Sequence, residues 1–147
     1  MSENSDVGAR NYRHLLTSIA QAESLDKAKF LSDQCFEKDG VRLSFEHLPQ
    51  SNLCRIGFAL GPTPRDMEAL KAMLESNAFP EKGLLPIMAI DPESGQAMVF
   101  VHFPAIEEAE MAVHCFLGFG IVMLAEQWKE LWKEELNPAS GAICVLA

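Results

Sequence analysis

The chain has 147 residues, and its 48% of hydrophobic residues suffices for the core of one compact domain. It carries 12 Lys and Arg residues against 21 Asp and Glu residues, for a formal net charge of -9. The basic residues are scattered singly, which argues against nucleic acid and anionic membranes as partners, because both bind clustered positive charge. The acidic balance favours a soluble protein with basic or neutral polypeptide partners.

The spacing of the cysteines argues against a metal site. Cys35, Cys54, Cys115 and Cys144 stand alone in apolar stretches, whereas the ligands of structural zinc come in pairs about two to four residues apart. We therefore expect reduced thiols, as in a cytoplasmic protein, and no metal or cofactor.

Neither a secretory signal nor a membrane span is predicted. Residues 1 to 10 are polar and lack the apolar region of a signal peptide. The longest apolar stretch, residues 111 to 125, is shorter than the roughly 18 to 20 residues that cross a bilayer. We expect a cytoplasmic protein without membrane insertion.

The first half of the chain predicts one helix followed by three strands. Residues 1 to 10 are aperiodic and are expected to form a flexible tail. From Asn11 the apolar residues follow the spacing of one helix face, and residues 29 to 37 are interpreted as a strand. Residues 41 to 48 and 53 to 60 alternate between apolar and polar, which is typical of half-buried antiparallel strands.

The second half predicts a helix, two strands and a long helix. The Thr-Pro pair at Thr63 suits an N-cap and a first helical position, so the second helix is expected to begin there. Strands are predicted at residues 86 to 91 and 96 to 103. A continuous apolar seam at spacings of three and four then predicts a helix over residues 105 to 136, followed by an apolar tail, residues 137 to 147.

These elements predict a single domain over residues 11 to 136, in the order α-β-β-β-α-β-β-α. Because short turns join neighbouring strands, the sheet should be mostly antiparallel. The helices should pack against it, which gives an α+β fold.

The segment from Asp91 to Gly95 contains two carboxylates and a serine, so it is either a small chemical site or a turn. Its flanks are strands, and the chain must reverse within these five residues. Pro92 restricts φ, Asp91 can bond the turn backbone, and Gly95 can take positive φ. We predict a turn.

The motifs of the common enzyme classes are missing from the sequence. Gly118, Phe119 and Gly120 lack the third glycine and the preceding strand of a dinucleotide site. Ser94 does not lie in a Gly-x-Ser-x-Gly turn. We expect a protein without enzymatic activity, and a small cysteine-dependent enzyme stays open as an alternative.

Residues 55 to 104 resemble a known family. The stretch RIGFALGPTPRDMEALKAMLESNAFPEKGLLPIMAIDPESGQAMVFVHFP holds a strand, a proline-capped helix, a Leu-x-x-Asn-x-Phe helix end and an Asp-Pro-x-Ser-Gly hairpin, in that order. In this it resembles the class I type III secretion chaperones, the Tir-chaperone family, and the resemblance extends over about residues 11 to 136. It implies a homodimer in the bacterial cytoplasm. Such a chaperone binds the N-terminal region of a secreted effector and keeps it secretion-competent without ATP.

The resemblance also implies two apolar sites. The second helix would form much of the dimer interface, and effector segments would lie along apolar patches of the first helix and the sheet, where an open sheet edge can add backbone hydrogen bonds. The alternative is an interaction or regulatory module of similar fold without a secretion role. The residues expected at the dimer interface are Met67, Leu70, Met73, Leu74 and Ala78. Those expected at the effector site are Leu15, Leu16, Ile19, Leu43, Phe45, Ile56, Phe58, Met98 and Phe100.

Overall fold

The computed structural model describes residues 2–63, 67–76 and 86–126. Within them the elements follow in the order α1 (Ser2–Ala22), α2 (Lys27–Asp33), β1 (Cys35–Lys38), β2 (Val41–Leu48), β3 (Leu53–Pro62), α3 (Met67–Ser76), β4 (Ile87–Ile90) and β5 (Gln96–Pro104). A C-terminal helical segment, Glu107–Glu126, ends the described part of the chain. It consists of a 3-10 turn (Glu107–Ala109), α4 (Glu110–Cys115), a π-helical turn (Phe116–Gly120) and a last α-helical stretch.

The five strands form one sheet in the order β1-β2-β3-β5-β4, and every neighbouring pair is antiparallel. The predicted α+β fold with an antiparallel sheet is thereby confirmed. The longest pairing joins β3 to β5, from Leu53 opposite Pro104 to Pro62 opposite Gln96, with an irregularity between Ala59 and Gly61. Because β4 pairs only with β5, it lies at an edge of the sheet.

The helices pack on one face of this sheet and enclose the core with it. Helix α1 contributes side chains at helical spacing, and the C-terminal helical segment contributes Val113, Leu117 and Ile121. These meet the strand residues that point to the same face, such as Ile56 and Phe103. The largest side chains that are fully buried are Phe58, Phe103, Leu16, Ile19, Leu43, Ile56, Val99, Val113 and Cys54.

The strand predicted at residues 29 to 37 is wrong in its first half, because helix α2 occupies residues 27 to 33. The side chain of Asp26 caps this helix by accepting a hydrogen bond from the backbone N–H of Lys29 at 3.1 Å. Phe30 anchors it in the core at 2% exposure. Gln34 then takes a left-handed conformation, φ 53, which ends the helix, and β1 begins at Cys35.

The flexible tail expected at residues 1 to 10 is also not observed, because α1 begins at Ser2. One contact holds this first part of α1 against the turn between β2 and β3. Gly8 lies so close to Asn52 that a Cβ atom at position 8 would stand 2.1 Å from the Asn52 side-chain oxygen. A polar segment can therefore be helical where tertiary contact supports it.

The C-terminal helical segment begins near the predicted residue, and its predicted part from 127 to 136, with Trp128 and Leu131, lies outside the described residues. The segment runs over 20 residues and meets the length and apolar composition of a membrane span, although the apolar stretch of residues 111 to 125 alone is shorter. Its inner side chains Val113 and Leu117 lie in the core. Of the apolar 18-residue window in this segment, 22% is buried within the described structure.

Candidate functional site

The residues expected at the dimer interface differ in their exposure. Met67 and Leu74 of α3 are 75% and 70% exposed, which is unusual for large apolar side chains. Leu70 is half-buried and packs on Ala97 of the same chain. The side chain of Met73 and the whole of Ala78 lie outside the described residues.

Helix α3 and strand β4 border an apolar groove of about 640 Å³, here called the α3–β4 groove. The apolar side chains that line it are Met67, Leu70, Leu74, Met88, Ala89 and Ile90. Ile90, on the edge strand, is 48% exposed. Lys71 and Glu75 form an ion pair at 3.9 Å on the exposed side of α3. The groove therefore combines a broad apolar floor with a charged rim.

Seven of the nine residues expected at the effector site are wrong for a surface role, because they lie in the core. They are 6% exposed or less and pack between α1 and the sheet. A bound chain would contact none of them in this conformation. The physical reason is that the first helix and the alternating strands turn these apolar faces toward each other. The seven residues are Leu15, Leu16, Ile19, Leu43, Phe45, Ile56 and Phe58.

The other two, Met98 and Phe100, are half-buried on the opposite face of β5, here called the outer sheet face. Phe100 lies across Gly57 of β3, its register partner. On its other side, Phe100 pairs with Ile87 of β4, which is 44% exposed. The helices of the described chain cover the core face only, so these side chains form an open apolar strip.

Charged groups border the outer sheet face. The Arg55 guanidinium lies 5.1 Å from the centre of the Phe100 ring and also pairs with the Glu46 carboxylate. His102 is the register partner of Arg55. Partial burial, and then the Arg55 charge, lower the pKa of His102 below its usual 6.5, so its imidazole is neutral at pH 7. The apolar strip is thus bordered by the Arg55–Glu46 ion pair.

The segment from Asp91 to Gly95 is a turn, as the sequence predicts. The Asp91 backbone N–H donates to the Gln96 carbonyl at 2.9 Å, and Gly95 has φ 71. The Asp91 carboxylate accepts hydrogen bonds from the Ser94 hydroxyl at 2.7 Å and from the Glu93 backbone N–H at 3.1 Å. These bonds, the Ser94 bond first, lower the pKa of Asp91. The side chains of Asp91 and Ser94 thus stabilise the turn.

A Ser-His-Glu cluster joins α1 to α4. Ser18 Oγ lies 2.9 Å from His114 Nε2 and donates to Glu110 Oε1 at 2.5 Å. In a catalytic triad the carboxylate would hold the second ring nitrogen of the histidine. Here Glu110 approaches the same nitrogen, at 3.8 Å. The arrangement is that of a polar contact between helices.

The cysteines of the described residues lie in three different environments. Cys54 is completely buried, and burial raises the pKa of its thiol to about 12, so it is protonated at neutral pH. Cys35 accepts a hydrogen bond from Arg42 at 3.3 Å, and Cys115 is exposed. Across residues 2–63, 67–76 and 86–126 no three His, Cys, Asp or Glu side chains converge as a metal site would require.

Strand β4 is the part of the site that sequence reasoning did not assign. Its residues Ile87 to Ile90 are apolar without alternation. A continuous apolar run on a short strand indicates contacts on both sheet faces. In the structure Met88 and Ile90 line the α3–β4 groove, while Ile87 pairs with Phe100. The apolar run at residues 87 to 90 was therefore the feature of the sequence that could have assigned β4 to the site.

No family model matches this chain, and no curated protein is detectably similar to it. The features of the chain that bear on its function are therefore the α3–β4 groove, the outer sheet face and the motif order in residues 55 to 104.

Proposed function

We propose that this chain is a cytoplasmic type III secretion chaperone that binds the N-terminal region of an effector as a homodimer and keeps it soluble and secretion-competent. The observation that carries the proposal is the apolar surface left open by the described residues, in the α3–β4 groove and on the outer sheet face. The α+β fold and the motif order in residues 55 to 104 support it further.

The α3–β4 groove suits a second copy of the chain. In a two-fold contact the same patch serves both partners, so Met67 and Leu74 of each copy would enter the groove of the other. Complete burial of such side chains stabilises a contact by about 1.5 to 3 kcal/mol each. The burial of four such side chains, two from each copy, would contribute a substantial share of a dimer's stability.

The outer sheet face suits an extended client chain. Met98 and Phe100 offer apolar contacts to side chains that alternate along such a chain. Strand β4 has no strand partner on its outer edge among the described residues. A client strand could add its backbone hydrogen bonds there, and the charges of Arg55 and Glu46 would border it.

The client site is tested by co-expression with the tagged N-terminal segment of an effector encoded beside this gene. The wild-type chain should elute with the client. Phe100→Glu places a charge on the apolar strip and should reduce the recovered complex about tenfold, as expected for a central contact.

Met111→Glu is the matched control, because Met111 is 77% exposed on the C-terminal helical segment, away from the outer sheet face. It should retain the client. Equal recovery of wild type and Phe100→Glu, or no recovery of client by the wild type, would contradict the proposed site.

A further inference from the structure

A separate cavity of about 510 Å³ lies beside α1, away from the α3–β4 groove and the outer sheet face. Helix α1 forms one wall, Leu31 and Gln34 at the end of α2 form the other, and His47 of β2 closes one side. The cavity is open to solvent. None of its residues has a role in the dimer or client contacts proposed above, and Leu16 lies buried in the core behind it.

The polar groups at the base of this cavity are held in place. The Tyr12 hydroxyl donates to Gln34 Oε1 at 2.6 Å, and the Tyr12 ring stacks on His47 with 5.2 Å between ring centres. His47 Nε2 is also 3.1 Å from the Asn52 side-chain oxygen. Burial raises the pKa of Tyr12, so its hydroxyl stays protonated and keeps donating. A ligand would meet a base that is already ordered.

The cavity is locally basic in an acidic protein. Arg10 and Arg13 both line it and are exposed, and neither forms an ion pair with a carboxylate of the described residues. Among the lining side chains that the structure describes, Asp6 is the one carboxylate. Two guanidinium groups that face one cavity and form no ion pair with a described side chain favour a carboxylate ligand, which each can bind with charge-assisted hydrogen bonds.

The length of the cavity indicates an extended chain as the ligand. Its wall on α1 runs from Asp6 to Leu16, which is about 15 Å at 1.5 Å per helical residue. An extended peptide advances about 3.3 Å per residue, so four or five residues cover this distance. Ala9 and Leu31 add apolar contacts for the neighbours of the carboxylate.

We infer that this cavity binds an acidic residue, Asp or Glu, flanked by apolar residues in an extended segment of the client polypeptide. Arg10 and Arg13 bind the carboxylate, and the apolar wall binds its neighbours. That the bound segment belongs to a client polypeptide rests on the proposed function. The formal net charge of -9 favours basic or neutral polypeptide partners, whereas the client segment at this cavity is acidic.

The test is an NMR titration of the full chain with two synthetic peptides that differ in one group, Ac-Gln-Leu-Glu-Leu-Gln-NH2 and Ac-Gln-Leu-Gln-Leu-Gln-NH2. The first should shift the Nε signals of Arg10 and Arg13 and the amide signal of His47. It should bind about fivefold more tightly than the second, as expected for two solvent-exposed ion pairs. The double variant Arg10→Gln, Arg13→Gln should remove this preference.

Arg42→Gln is the control, because Arg42 is an exposed arginine on β2 that does not line the cavity. It should keep the preference. Equal binding of the two peptides, or a preference that persists in the double variant, would overturn the inference and leave the proposed function standing. Binding of free acetate as tightly as the acidic peptide would overturn the assignment to a polypeptide. A peptide preference without recovery of any client in co-expression would instead count against the proposed function alone.

Discussion

At the scale of single residues, the outer sheet face depends on the absence of a side chain at position 57. Phe100 lies over Gly57, and a Cβ atom at that position would stand 2.8 Å from two carbons of the ring. A methyl group there must displace the ring, and with it the contact between Phe100 and Arg55. The flat apolar strip exists because this strand residue is glycine.

Gly57→Ala should therefore lower the free energy of unfolding by about 1 to 2 kcal/mol relative to Gly118→Ala, measured by urea denaturation. Gly118 is a suitable control because a Cβ atom there would meet no atom within 4 Å. Equal stability of the two variants would show that the Phe100 ring does not require the space above Gly57.

Single residues also mark what the sequence could not predict. Phe100 was placed on a predicted strand, and alternation placed Phe45 on a strand and assigned it to one face. It does not tell which face the helices cover, because both faces of this sheet carry apolar residues. Phe45 is 5% exposed in the core, whereas Phe100 is on the uncovered face. Only the packing of α1 and the C-terminal helical segment separates the two roles.

At the scale of elements, the prediction succeeded where a periodic pattern was long. Strands β2 and β3 have 8 and 10 residues and were predicted from alternation, and β5, with 9 residues, was predicted at residues 96 to 103. Helix α2 has 7 residues, so its apolar pattern covers less than two full periods. Its cap at Asp26 and its anchor at Phe30 determine it, and both act through contacts beyond the local pattern. The strand prediction failed there for this reason.

The assignment of the α3–β4 groove as the dimer interface can be tested at this scale. Leu74→Asp should convert the proposed dimer to a monomer without unfolding it, since Leu74 is 70% exposed in the single chain. Light scattering gives the mass, and circular dichroism checks the fold. Leu70→Asp would be a less informative variant because Leu70 packs on Ala97 within its own chain.

Met111→Asp is the control for this experiment, because it places the same charge on a side chain that is 77% exposed outside the groove. This variant should remain dimeric. A Leu74→Asp protein with the mass of a dimer would refute the assignment of the α3–β4 groove as the interface.

At the scale of the whole molecule, the described residues form a sheet with one face covered by helices, one face that these helices leave open, and an open edge at β4. The described helices supply apolar surface for the core, and further exposed apolar residues lie in the α3–β4 groove, on the outer sheet face and along the C-terminal helical segment. Exposed apolar surface of this kind marks interaction sites, because it is costly in water unless a partner covers it. This exposed apolar surface is the structural basis of the proposed binding function.

The most direct test of this account is native mass spectrometry of the chain co-expressed with the N-terminal segment of an effector encoded beside its gene. The account predicts one dominant complex that contains two copies of this chain together with the client. A spectrum with only the single 16.3 kDa chain, free of client, would contradict it.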